Sequence, residues 1–161
     1  MEILEKLLSH FIEGFLMVGA GLGVIGIRLE LRKMLLIASI QAIIVYGVRM
    51  FYILNNIPLG THMIILIIFF TILCKKIGMQ NRKDCIVASL INLLLLMWGD
   101  GITLIIVEKL CGINMITIST KTGGYLLCGI ISNIFLIIVF FIVYVFSVTI
   151  IDLSFFDKNK V

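Results

Sequence analysis

Apolar residues run along this chain in long blocks separated by short polar segments. MLLIASIQAIIVYGV and YLLCGIISNIFLIIVFFIVYVFSVTII are two of the blocks, and the separators read RLELRK, NNIP, KKIGMQNRKD and EKLCGINMITISTKTGG. A helix that crosses a bilayer needs ~20 mostly apolar residues at ~1.5 Å rise each. On this pattern five helices are predicted, over about 7–27, 34–54, 59–74, 85–107 and 125–151. The third is short and the fifth long, so the fifth is expected to tilt or to project beyond the bilayer. The predicted fold is an all-α integral membrane bundle of five transmembrane helices, forming a single domain over 1–161, with no internal repeat.

Composition strengthens the membrane reading. The chain is 61% hydrophobic and 14% charged with one proline, whereas a soluble domain is roughly half apolar and a quarter charged. The excess calls for a second apolar phase, and the lipid bilayer is the first partner implied. Cys74, Cys85, Cys111 and Cys128 are scattered without a C-x-x-C pair or a histidine at zinc spacing, which makes them small apolar residues near lipid. The start, MEILEKLLSHFIE, lacks the basic region of a signal peptide, so the first helix is expected to be retained. Ile3, Leu4, Leu7, Leu8 and Phe11 share one face there and predict an interfacial amphipathic turn.

The net charge of +4 is carried by loops and reports orientation, with no nucleic-acid partner expected. Arg28, Arg32 and Lys33 follow the first helix, Lys75, Lys76, Arg82 and Lys83 follow the third, and Lys158 and Lys160 end the chain; Lys6, Lys109 and Lys121 fall on the other side. Lys and Arg accumulate in short cytoplasmic loops, so the N-terminus is predicted outside and the C-terminus in the cytoplasm of a multi-pass cell-membrane protein. The largest outer loop contains INMITIST, apolar enough to lie on the membrane surface or to fold back as a cap.

Residues 21–26 read GLGVIG and match the dinucleotide fingerprint G-x-G-x-x-G as letters. That reading needs a preceding strand and an acidic residue about 20 positions on, and no carboxylate occurs between Glu30 and Asp84. Helix packing accounts for the glycines instead. Gly19 and Gly23 form a G-x-x-x-G pair that Gly26 continues, and Gly14 and Gly21 form a second strip roughly opposite. The first helix is thus predicted to be packed on two sides, as a central helix would be.

Charges inside apolar spans cost about 2.5–3.5 kcal/mol each on insertion scales and face a partner or a water-filled cavity. Three stand out, Glu13, Arg49 and Asp100. Counted from the cytoplasmic ends of their helices, all three lie ~21–23 Å above the inner boundary, with His62 near ~18 Å and His10 one turn above Glu13. Arg49, with Tyr46 and Tyr52 within a turn, has the valence to bridge two carboxylates. The candidate ligand-binding or polar network is therefore His10, Glu13, Arg49, Tyr52, His62 and Asp100, in an outer-leaflet pocket. The same residues read equally well as a dry ion-pair cluster that fixes helix order. Two histidines are too few for a metal site, and no cofactor is implied. Ser89 and Ser132 have no histidine partner at their depth and Asp100 is the sole aspartate buried in a span, so no enzyme activity is expected.

The stretch RLELRKMLLIASIQAIIVYGVRMFYILNNIPLGTHMIIL, with GDG at 99–101, resembles the multi-helix N-terminal membrane region of sensor histidine kinases of Gram-positive, clostridia-like bacteria. The arginine of VRMFY, the IPLGTH turn and the aspartate of GDG carry the resemblance, which covers most of 1–110. It implies a region that senses a signal in or outside the membrane and passes it to cytoplasmic helices. The chain departs from that family after Ile151, where DLSFFDKNKV holds neither a phospho-accepting histidine segment nor an ATP-binding domain. A sensory, signal-transducing membrane module is the leading expectation, with a homodimer or a cytoplasmic kinase as partner. The alternatives are a small transport component or oligomeric pore, lined by Gln41, Asn92 and Asn133, and an accessory subunit of a larger membrane complex.

Overall fold

The computed structural model describes residues 2–58, 61–110, 112, 114–121 and 123–151. The expected helix start at Leu59, the thiol of Cys111 and the tail with Lys158 and Lys160 lie outside the described residues. Within them the chain is all-helical. Long helices α1 (Glu2–Val24), α2 (Leu31–Leu54), α3 (His62–Lys76) and α4 (Arg82–Leu104) come first, α4 running on as a π-helical turn at Ile105–Leu110. They are followed by α5 (Met115–Ser119), α6 (Gly124–Ser132) and α7 (Ile134–Phe140), the last continued by a π-helical turn at Phe141–Val145.

Helix α1 is the centre of the bundle, touching α2, α4, α6, α7 and the turn after α7. Its membrane-length window is 67% buried, against 33% for α2 and 24% for α4. Glycines make this centrality sterically possible, because a backbone without Cβ lets a neighbour approach closely. A Cβ on Gly14 would lie 3.3 Å from Gln41 Cγ of α2, one on Gly23 would lie 2.5 Å from Val143 Cγ2, and one on Gly19 would strike the Phe140 ring. Gly14 and Gly21, read from the sequence as one strip, serve two different helices: Gly21 is filled by the Asn92 carboxamide of α4. The short connections between consecutive long helices, together with these contacts, set α1, α3 and the α6–α7 pair running one way and α2 and α4 the other.

Beyond the close packing its spacing implied, which Thr149 supplies, Gly26 has a further task. Its φ of +81° ends the helix, with Gly26 N–H donating to Gly23 O and Ile27 N–H donating to Leu22 O, both at 2.9 Å. This is a Schellman termination, which an L side chain at that position strains. So α1 stops at Val24 instead of running to 27. The carbonyl left open at Val24 accepts from Ile150 N–H at 3.0 Å and Ile151 N–H at 2.9 Å, which satisfies one of the orphan acceptors at a helix end.

The fifth predicted helix is not continuous. It bends by 56° between α6 and α7, where the Asn133 side chain turns back to donate to Gly129 O at 2.8 Å. Such a side-chain bond competes with the helical ladder and favours a break. Helical structure then ends at Val145, and Ser147 at φ +64° turns the chain beneath α1. In the outer loop, Asn114 Oδ1 accepts from Thr117 N–H at 3.2 Å to start α5, and α5 packs on α6.

Among the described residues three helices are long and apolar enough to cross a membrane: Ile3–Val24, Leu31–Leu54 and Arg82–Val107. The bent pair Gly124–Ser132 and Ile134–Val145 makes a fourth if counted as one span. Helix α3, with 15 residues, extends only ~22 Å, less than a ~30 Å hydrocarbon core. The outer surface is apolar along whole helix faces, as in the run Leu90, Leu94, Met97 and Trp98 of α4, a pattern compatible with lipid contact. The core lies toward the end of the bundle that carries Arg28, Arg32, Lys33, Lys75 and Lys76, where Leu22, Met34, Ile37, Phe70, Cys74 and Cys85 are almost wholly buried.

Candidate functional site

At the opposite end the bundle opens. Helix directions bring the N-terminal half of α1, the C-terminal ends of α2 and α4 and the N-terminal ends of α3 and α6 to one level, and two clefts meet there. One, of about 210 Å³, is lined by Ser9, His10, Glu13, Arg49, Asp100 and Ser132 among others. The second, of about 420 Å³, is lined by Lys6, His10, Tyr46, Arg49, His62 and Tyr125 among others. His10, Arg49 and Tyr125 line both.

Helix α1 supplies Lys6, His10 and Glu13 on one face, at spacings of four and three residues. His10 Nδ1 lies 3.4 Å from Glu13 Oε2, with the two side chains 3% and 17% exposed. Tyr125 at the start of α6 meets the His10 ring edge-on at 6.3 Å and sits 5.9 Å beneath Lys6 Nζ in cation–π geometry. The start of α6 is fixed by Gly123 N–H donating to Glu5 Oε1 at 3.1 Å. Helix α4 approaches the bend closely because Gly99 has no side chain: a Cβ there would lie 2.8 Å from Ser132 O. This holds Asp100 at the cleft, within Coulombic reach of Glu13 and Arg49 and beside the Ser132 side chain.

Arg49 is half-buried between the two clefts. Its Nε finds no hydrogen-bond partner among the described residues, although Glu13 and His62 are near enough to interact with its charge. His62 is 7% exposed, and neither of its ring nitrogens is partnered among the described residues. Tyr52 does not line either cleft. It lies behind His62, edge-on at 5.9 Å, with its hydroxyl 3.4 Å from Thr61 Oγ1, and so sets the orientation of the imidazole.

Beneath the clefts the interior closes. A slot of about 30 Å³ lies between Glu13, Gln41, Met17, Phe70 and Ser89, room for on the order of two waters. Gln41 Oε1 faces it without a partner among the described residues. Below the slot come Leu22, Met34 and Ile37. Gln41 is wedged against Gly14 and Asn92 against Gly21, while Asn133 bonds within its own helix pair. The three amides that could have lined a polar path therefore occupy separate places.

Five of the residues singled out in the sequence, His10, Glu13, Arg49, His62 and Asp100, thus line the two adjoining clefts. Sequence reasoning passed over Lys6, Ser9, Tyr125 and Ser132 as site residues. Lys6 shares a helical face with His10 and Glu13, which was a usable signal; the inward aim of Tyr125 depends on the docking of the start of α6 against Glu5 and Lys6 of α1 and had none. Among the described residues no three His, Cys, Asp or Glu side chains converge on a metal position. No protein-family model matches the chain, and no curated protein or solved structure is significantly similar to it.

Proposed function

We propose that the protein is a sensory module of five membrane crossings, with the clefts facing outside and the basic end in the cytoplasm. In this reading α3 is a short crossing and α6–α7 a bent one. The observation that carries the proposal is a dead-ended recess: charged groups from α1, α2 and α4 meet in an open cleft that apolar side chains close from below. A recess of that form suits binding, and it gives a single chain no route for conduction. The resemblance to membrane regions of sensor histidine kinases points the same way.

The output path in this proposal is the contact of α1 with the chain after α7. The charge of Arg49 on α2 interacts with that of Glu13 on α1, and α1 is joined at its far end to Ile150, Ile151 and Thr149. A change in the Arg49 network would shift α1 relative to that segment by ~1–2 Å, the scale of helix movements in switches. Two measurements test this. Ser132→Cys in a Cys111→Ser, Cys128→Ser background should react with a membrane-impermeant thiol reagent on intact cells, and Arg28→Cys in the same background only after permeabilisation. Spin labels at Arg28→Cys and Phe146→Cys should change their distance distribution when Arg49→Ala is added. Labelling of Ser132→Cys only from the cytoplasmic side would refute the topology, and an unchanged distance would refute the coupling.

A further inference from the structure

The two clefts differ in charge, and that difference identifies a ligand class. The smaller one carries both carboxylates, Glu13 and Asp100. The larger one has no acidic residue among those that line it; it gathers Lys6, Arg49, His10, His62, Tyr46 and Tyr125. These groups present an ammonium, a guanidinium, two imidazoles and two phenols from four helices, a set rich in donors and poor in fixed acceptors. His62 is more than nine-tenths buried with both ring nitrogens unpartnered among the described residues, and Arg49 Nε is likewise unpartnered. Unmet buried donors are costly, at about 1–3 kcal/mol each. Their concentration around one cleft of about 420 Å³ points to an occupant that accepts from several directions.

We infer that the larger cleft binds a phosphate-bearing anion, held by Arg49 and Lys6 with His62 donating from the wall. A tetrahedral oxyanion accepts hydrogen bonds on every oxygen and matches the guanidinium fork. A carboxylate, with two oxygens in one plane, would leave part of this donor set unused. The setting favours a phosphate that carries an apolar or glycerol portion, because Met50 and Ile53 complete the lining and Ile53, Leu54 and Phe51 are exposed on the adjoining outer surface. A lipid headgroup and a free phosphate share this chemistry. The anion competes with Glu13 and Asp100 for Arg49, since the guanidinium borders both clefts, and this competition is how occupancy would reach α1. The inference rests on reading the recess as a ligand site open to the outside.

The test uses the whole chain in nanodiscs. In one arm, native mass spectrometry follows release from discs of equal phosphatidylcholine and phosphatidylglycerol; in the other, sodium phosphate is titrated calorimetrically into protein in phosphatidylcholine discs. Retention of phosphatidylglycerol over phosphatidylcholine, or saturable phosphate binding, is expected. Arg49→Gln and Lys6→Gln should each weaken it by about tenfold, and the outer-end control Lys121→Gln should leave it unchanged. Loss in the lipid arm identifies a headgroup and loss in the phosphate arm a free anion. Lys6 is at the rim, so its variant keeps the test valid if Arg49→Gln does not fold. No binding in either arm, or binding indifferent to both substitutions, overturns the inference. If Ser132→Cys is still labelled from outside in that case, the recess stands and only the anion assignment falls.

Discussion

Gly19→Ala perturbs the close parallel approach of α1 and α7, which lies just ahead of the contact used for the proposed coupling. A methyl group at this position would lie 2.5 Å from Phe140 Cδ2 and 3.0 Å from Met34 Cε, where carbon atoms normally rest ~3.5–4.0 Å apart. Something must therefore move by ~1 Å. Met34 can yield because its chain is flexible. The Phe140 ring cannot swing freely, since it stacks on Tyr144 at 5.1 Å and 19° and lies against Phe15 at 5.7 Å. Overpacking of a filled core costs about 1–3 kcal/mol, and this fixed ring places Gly19→Ala near the upper part of that range. Gly47→Ala is the matched control: Gly47 is within α2 and a Cβ there meets nothing within 4 Å, so the change should be neutral or stabilise by up to ~1 kcal/mol through helix propensity. Reversible unfolding in mixed micelles, titrated with dodecyl sulfate, measures both. Phe140→Leu closes a double-mutant cycle. It should remove most of the Gly19→Ala penalty and give a coupling of roughly 1–2 kcal/mol. A Gly19→Ala cost below ~0.5 kcal/mol, or a coupling near zero, would refute the claim that α1 and α7 meet at this glycine.

Two further changes probe the end of the bundle where α1 meets the chain after α7. Gly26→Ala forces an L side chain to φ +81° and brings its Cβ to 3.0 Å from Thr149; it should destabilise by ~1–2 kcal/mol and raise hydrogen exchange at the Ile150 and Ile151 amides that bond Val24 O. Unchanged protection there would separate the Schellman turn from the docking of that segment. Tyr144→Phe removes the hydroxyl that donates to Leu29 O at 3.0 Å, with an expected loss of ~0.5–1.5 kcal/mol in the same unfolding assay; a neutral result would mean that this bond is not made in the membrane.

How much was legible in the sequence depends on which coordinate is in question. Depth along a helix follows from counting, because each residue rises ~1.5 Å whatever its neighbours are. That is why Glu13, Arg49, His62 and Asp100 could be placed at one level from their distances to the polar loops, and they now line adjoining clefts. The apolar blocks likewise determined the long helices, since burying an unpaired backbone in an apolar phase forces local hydrogen bonding. Direction around the helix axis and continuity along it are different matters. Only the packed structure decided that Tyr52 stands behind His62 while Tyr125 faces the cleft, and that Gly14 and Gly21 serve two separate helices. The break at Asn133 and the stop at Gly26 were equally hidden. Each turns on a balance of a few kcal/mol between the helical ladder and a competing contact, the Asn133–Gly129 bond in one case and a left-handed glycine beneath Thr149 in the other. Such balances are set by what lies across the interface, which the order of residues within one helix does not contain.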